Sequence, residues 1–276
     1  MTDRLAGLLQ HYALRARVFH SGSLCGSKLY DDDSGHIHLL RAGTVDVSSP
    51  AHGPLHLERP SLLFYPRPTP HRIDAGAGGG VPVDLLCAMV ELGSAAGNPL
   101  AQALPLVSVL DLSELPQLTH LLEMLFDEAG GNHCGRQVAI DRLCELVLIH
   151  LLRELMDRGS TNAGLLAGLA DPRLARALSA IHEAPGRPWS LTSLASLAGM
   201  SRARFASAFR DQIGCTPGHY LAHWRVQVAC NLLRRGRPVG HIADEVGYGS
   251  AQALARAFRT HLGYSPSVWL RQQMPA

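Results

Sequence analysis

Lysine is all but missing from this chain. Of 25 basic residues in 276, only Lys28 is not an arginine. That scarcity names no function. Other absences exclude more. The six cysteines (25, 87, 134, 144, 215 and 230) form no CxxC pair and no dense framework, which argues against a disulfide scaffold or a zinc ribbon. No charged n-region followed by an apolar h-region opens the chain, and no apolar run is long enough to span a bilayer. A soluble protein of the reducing cytoplasm, away from membranes, is the expectation that follows.

What is present is unevenly placed. From Asp171 to the end there are 13 arginines against five aspartates and glutamates, a surplus of eight positive charges. With a net charge of +2 overall, the preceding residues carry −6. An acidic half joined to a basic half points to nucleic acid at the basic end.

That basic end repeats itself. Ala206-Ser-Ala-Phe-Arg-Asp-Gln-Ile-Gly-Cys-Thr-Pro217 returns as Ala255-Arg-Ala-Phe-Arg-Thr-His-Leu-Gly-Tyr-Ser-Pro266. A short helical run and a glycine turn, at Gly199 and Gly247, precede each copy. Short helix, glycine turn and second helix make a helix-turn-helix, and two of them suit two neighbouring segments of DNA major groove. Local signals place the elements. Asp171 with Pro172 starts a helix to Ala184, and Ser190 caps Leu191–Leu197. Ser201 caps Arg202–Ile213, and Thr216-Pro217 starts a long helix to about Leu233. Val239–Val246 follows, and Ser250 caps Ala251–Leu262. Phe205, Phe209, Leu254 and Phe258 fall at (i, i+4) spacing and are expected in the core.

The first 105 residues read as short strands between Gly/Pro turns: Ile37-His-Leu-Leu, Thr44-Val-Asp-Val, Pro60-Ser-Leu-Leu-Phe-Tyr and Val81 to Val90, after a short helix over Asp3–Tyr12. The turns include Asp31-Asp-Asp-Ser-Gly, His52-Gly-Pro and Ala75-Gly-Ala-Gly-Gly-Gly. Such a pattern predicts a β-sandwich or barrel. Residues 112–128 and 136–157 are helical in pattern. In the second, Val138, Leu143, Val147, Ile149 and Leu151 fill more than one face. That leaves two readings open, a core helix within one subunit or a helix shared with a second copy. The expected organisation is a sensor domain over 1–110, a helical segment over 111–160 that is a candidate for dimerisation, a linker over 161–170 and a DNA-binding domain over 171–276. The fold class is α+β.

The C-terminal half resembles the AraC/XylS family of bacterial transcription regulators. The resemblance covers about 100 residues and rests on Ala195, Gly199, Phe209, Gly214, Pro217, Tyr220, Arg225, Ile242-Ala243, Val246-Gly247-Tyr248, Ser250, Phe258, Gly263 and Ser265-Pro266. Leu254 stands where the family usually has Phe, and Trp269 where it usually has Tyr. The resemblance implies a linker helix holding two recognition helices against double-stranded DNA, RNA polymerase as a further partner, and a homodimer. It implies base-reading positions at Ala203, Ala206 and Ser207, with Arg202 and Arg204 beside them, and at Gln252, Ala255 and Arg256. Gln and Arg pair bidentately with adenine and guanine, whereas Ala offers only a methyl contact, so more of the base reading falls to the second unit. Arg210, Arg259 and Arg225 are assigned to phosphates or structural ion pairs, with structure favoured for Arg225 in mid-helix.

The N-terminal half resembles the cupin barrel that often precedes this DNA-binding half, through His38, Gly43, Leu62-Leu-Phe-Tyr-Pro66 and His71. His36 and His38 are two apart and share a strand face; with His71 they are candidate ligands for a divalent metal. The glutamate usual after an HxH is missing from Leu39-Leu-Arg-Ala-Gly43, so the triad is incomplete unless Cys25 or Cys87 substitutes. That gap argues against the alternative of a cupin metalloenzyme with a DNA-binding tail. A constitutive regulator whose barrel only dimerises is the other alternative. Ser23-Leu-Cys25-Gly and Leu86-Cys87-Ala-Met-Val resemble a subgroup whose described member is a reactive-chlorine-responsive activator, which makes Cys25 and Cys87 candidate redox sensors. Such a sensor needs an accessible thiol of lowered pKa. Cys134, in the Gly130-Gly-Asn-His-Cys-Gly loop, is expected to be the more exposed thiol, while Cys215 and Cys230 are expected to pack.

Overall fold

The computed structural model describes residues 3–75, 82–93, 99–158 and 164–273. The chain divides into two compact units, one of residues 13–95 and 104–155, the other of residues 1–12, 96–103 and 156–276.

Among the described residues of the first unit, nine strands form two antiparallel sheets. They are β1 (Leu14–Leu24), β2 (Gly26–Tyr30), β3 (Gly35–Ala42), β4 (Val45–Ser49), β5 (His52–Leu57), β6 (Ser61–Tyr65), β7 (His71–Ala75), β8 (Val83–Leu92) and β9 (Ser108–Asp111). One sheet runs β1-β8-β3-β6-β9 and the other β2-β7-β4-β5. The expected β-sandwich or barrel is present as two sheets. β3 is its central strand, buried without a break from Gly35 to Leu40, so its alternation is hidden in an apolar run. His38 lies opposite both Leu63 and Cys87, on the face that joins Leu40, Tyr65 and Leu85 to Tyr30, Val45, Val47 and Ile73 of the other sheet. Gly43 makes the β3–β4 turn at φ +88°; a Cβ there would lie 2.7 Å from the Val83 Cα.

Several local expectations differ. His52-Gly-Pro starts β5 rather than turning, and the hairpin turns at Pro50-Ala51. The helix expected over 112–128 begins as two 3₁₀ turns, 112–114 and 116–118. Pro116 disfavours helical backbone just before it, and α3 follows only at Thr119–Gly130. Most of the Ala75–Gly80 turn lies outside the described residues. The helix over Arg136–Asp157 (here α4) has the expected bounds. It buries Ile140, Cys144, Val147, Leu148 and Leu151, and leaves Val138 65% and Leu146 44% exposed. Its polar residues close the free edge of β1. Asp141 accepts from the Val18 amide at 2.8 Å, and Gln137 donates to the Val18 carbonyl at 2.8 Å. An edge so capped cannot pair with another strand.

The second unit is helical. It contains α1 (Ala6–His11), α2 (Pro99–Ala103), α5 (Leu165–Ala170), α6 (Pro172–Glu183), α7 (Leu191–Ala198), α8 (Arg202–Ile213), α9 (Pro217–Arg234), α10 (Val239–Glu245), α11 (Ala251–Leu262) and α12 (Pro266–Gln273). The caps explain the bounds. Asp171, Ser190, Ser201, Thr216 and Ser250 each accept from a first-turn amide. Gly199, Gly214 and Gly263 close helices in the left-handed region. The expected linker is not extended chain: Leu165–Ala170 is a helix with Leu165, Leu166 and Leu169 buried, and 161–163 lie outside the described residues. The leading helix α1 also belongs here. Gly7 lies against His182, Tyr12 against Trp224 at 5.4 Å between ring centroids, and the Asn231 side-chain amide donates to the His11 carbonyl at 2.7 Å.

Candidate nucleic-acid interface and sensor core

In the helical unit, α8 and α11 are built alike. Each buries two large apolar residues, Phe205 and Phe209 or Leu254 and Phe258, all 0% exposed. The four anchors fix which faces turn outward. Arg202, Ala203, Arg204, Ser207 and Arg210 are exposed on α8, and Gln252, Arg256 and Arg259 on α11; Ala206 and Ala255 are half-buried. Among the described residues the guanidinium groups of Arg202, Arg204, Arg210, Arg256 and Arg259 carry no ion pair. The two faces are not equivalent. Ser207 donates to Asp211 at 3.2 Å, so α8 holds its one polar middle position in an internal contact beside a carboxylate. Arg225 is half-buried and bonds three backbone carbonyls.

In the sheet unit, the predicted sensor residues His36, His38, His71 and Cys87 meet in one cluster with three that the sequence did not single out, Tyr30, Tyr65 and the half-buried His52; Cys25 stands outside it, exposed. His38 and His71 face each other through Nε2 atoms 2.8 Å apart. His71 donates from Nδ1 to the Thr69 carbonyl at 2.7 Å, so its Nε2 accepts and His38 Nε2 donates. The His38 Nδ1 is left with a lone pair and no hydrogen bond. Tyr30 stacks on one side of this pair, 5.1 Å from His71, and Tyr65 stacks 3.9 Å from His71 on its own ring plane. The Tyr65 hydroxyl donates to His52 Nε2 at 2.7 Å, because His52 Nδ1 is spent on the Gly53 carbonyl. Burial governs the titration of three of the histidines, His36, His38 and His71. It holds His38 well below the usual imidazole range, lowers His36, and takes His71 down to about 4.

The metal expectation does not fit this arrangement. His36 is turned toward Asp32, with Nε2 3.3 Å from the carboxylate, and His38 and His71 share a proton. Among the described residues no group of three His, Cys, Asp or Glu side chains is placed to hold a metal ion. The missing glutamate was the sign of this in the sequence.

The two sensor cysteines are not brought together. Cys87 is 0% exposed, its sulfur 3.4 Å from the Tyr30 hydroxyl. Burial pushes its thiol up to about 12, the reverse of the lowered pKa expected of a sensor. Cys25 is exposed. His20 of β1 pairs with Cys87, and Cys25 lies five residues further along, roughly 16 Å at about 3.3 Å per residue. That separation rules out a disulfide without backbone movement. Cys134 is exposed, Cys230 buried and Cys215 half-buried.

Comparison with known proteins follows this division. A family model described as Cupin matches residues 3–157, and one described as Helix-turn-helix domain matches residues 194–272. The RCS-specific HTH-type transcriptional activator RclR of Escherichia coli K12 is 30% identical over 251 residues, 86% of this chain and 86% of its own length. The chain belongs to the AraC-like transcription regulators. Putative AraC-like transcription regulators of Streptomyces antibioticus and Streptomyces lividans are 40% identical over 49% of this chain and 35% identical over 70%. The match spans only 45% and 64% of the length of those two regulators. Among solved structures, ToxT from Vibrio cholerae O395 is 9% identical over 97% of this chain and 100% of its own, with a TM-score of 0.42. The DNA-binding domain of AdpA in complex with a target DNA is 31% identical over 37% of this chain and 92% of its own, with a TM-score of 0.35. In this AraC-like chain no described helix is long and apolar enough to cross a membrane.

Proposed function

We propose that this AraC-like regulator binds double-stranded DNA through α8 and α11 and that a signal received by the cupin sandwich controls transcription. The carrying observation is the pair of capped, core-anchored helices whose outward faces hold five arginines without ion pairs. Free guanidiniums in that density suit a phosphate backbone and base edges. Arg256 and Gln252 carry most of the base reading, since Ser207 is engaged by Asp211 and Ala203 and Ala206 offer only methyl contacts. Arg210 and Arg259 contact phosphate. The protein is a cytoplasmic regulator rather than an enzyme and acts as an activator with RNA polymerase. Its homodimer forms through the open Val138/Leu146 face of α4.

The test is binding to duplexes selected from a randomised pool by the full-length protein. Arg256→Ala is expected to weaken the selected site by about 1–3 kcal/mol and to relax preference at one base pair. A loss of equal size on every sequence would move Arg256 to the phosphate class.

For the signal, the 30% identity to an activator named RCS-specific supports an oxidant. Of the two candidate sensor thiols Cys25 is the exposed one, so Cys25 reacts first and Cys87 becomes available only if the sandwich opens. Hypochlorous acid is expected to change promoter binding reversibly in the native chain and not in Cys25→Ala. An unchanged response in that variant removes Cys25 from the proposal.

A further inference from the structure

One guanidinium in the helical unit joins the segment leading into the first helix-turn-helix motif to the turn of the second. Arg225 stands in the middle of α9, the helix between them. Its Nε donates to the Pro185 carbonyl at 2.8 Å and its Nη2 to the Arg187 carbonyl at 2.9 Å. Both acceptors lie in the segment that leads to Ser190, the cap of α7. The remaining terminal nitrogen, Nη1, donates to the Gly247 carbonyl at 3.2 Å, in the turn between α10 and α11. The Tyr248 ring lies under the guanidinium, 5.6 Å from its carbon. Burial lowers the Arg225 pKa, and all three of its hydrogen bonds end on peptide oxygens.

The two loops also meet each other. A Cβ on Gly186 would lie 2.4 Å from the Glu245 carbonyl oxygen. A Cβ on Gly247, whose φ is +82°, would lie 2.6 Å from the Gly186 carbonyl oxygen and 2.7 Å from Arg225 Nη2. Two glycines thus let the entrance of the first motif and the turn of the second close around one planar cation. A lysine could not reproduce this, because a single ammonium cannot span three carbonyls set in a fork.

We propose that Arg225 is a positioning residue for DNA recognition: it locks the two motifs in one relative orientation and thereby sets the spacing between the two DNA segments that α8 and α11 read. The inference rests on the DNA-binding reading above. Its physical basis is linkage. Two reading heads held rigidly at the right separation make the second contact nearly unimolecular, and a wrong separation forfeits that gain. Inserting one base pair between the segments turns the second by roughly 34–36° and moves it by about 3.4 Å. A rigid pair of motifs cannot follow that displacement, whereas an uncoupled pair can.

The experiment measures full-length protein on three duplexes derived from the selected site: the intact site, the site with one base pair inserted between its two segments, and the site with its second segment scrambled. The unaltered protein is expected to bind the intact site at least about tenfold better than the inserted one. In Arg225→Ala and Arg225→Lys that ratio is expected to fall toward one, with the intact site weakened and the scrambled site bound as before. Tryptophan emission of each variant reports whether the helical unit is folded, and the lysine variant supplies the ratio if the alanine variant is not. A uniform loss on all three duplexes, or full discrimination retained in both variants, overturns the inference. Failure of the unaltered protein to select any sequence overturns the DNA reading itself, and with it this one.

Discussion

His182 offers a pH test that isolates one side chain. It lies on α6, 0% exposed, with its ring 4.3 Å from Trp224 and Nε2 2.7 Å from the Tyr220 hydroxyl; Nδ1 has no partner. Burial takes its pKa down to about 3, and the neighbouring His11 adds a smaller lowering. Because the folded value is depressed, the neutral ring favours the fold above the unfolded imidazole range, near 6.5. Stability is then lost as pH falls below that value, until the folded form itself protonates. At pH 5 the gap of about 1.5 units between unfolded pKa and solution corresponds to about 2 kcal/mol relative to pH 8. All three tryptophans (189, 224 and 269) lie in the helical unit, so their emission in urea follows that unit alone. With a urea dependence of about 1–3 kcal/mol per molar, the pH shift moves the midpoint by roughly 1 M. His182→Phe leaves the Tyr220 hydroxyl buried and unpaired, a cost of about 1–3 kcal/mol at every pH, and removes the titrating group. The variant is therefore expected to be less stable at pH 8 but to lose about 2 kcal/mol less than the native chain between pH 8 and pH 5. Equal losses in the two proteins would refute the reasoning and assign the acid sensitivity to other histidines.

Thiol accessibility gives a second test. An aromatic disulfide reagent should titrate Cys25 and Cys134 quickly and Cys215 slowly. Cys87, Cys144 and Cys230, which burial raises to about 12, should react only after denaturant is added; a fast-reacting count that falls in Cys87→Ala would contradict the burial described. At the second recognition helix, Ser250 Oγ accepts from the Ala253 amide at 3.2 Å. Ser250→Ala is expected to cost about 1 kcal/mol in the same urea measurement, and a variant of unchanged midpoint would show the cap to be replaced by water.

The helical unit was legible in the chain because its signals are local. Caps, stops and an (i, i+4) apolar stripe act within a few residues, so the bounds of α8 and α11 match their expectation to the residue. The sheet unit was less legible. β1, β2, β5, β7 and β9 were not read as strands, since much of their stability comes from partners that sequence patterning does not reveal, as in the pairing of Leu14 with Leu92. The buried cluster escaped for the same reason. Tyr65 meets His71 and His52, and Tyr30 meets His38, only when the two sheets face each other. Whether a thiol is poised or inert also depends on what covers it, which is why Cys87 read as a candidate and stands buried beside Tyr30. The sequence by itself determined a repeated, arginine-rich reading unit and its family, because helix periodicity and capping are short-range. The tertiary structure alone decided that α1 packs with the DNA-binding helices, that the three histidines are not arranged for a metal, and that Arg225 holds both motifs. Those are contacts between residues separated by tens to hundreds of positions, and only packing brings them together.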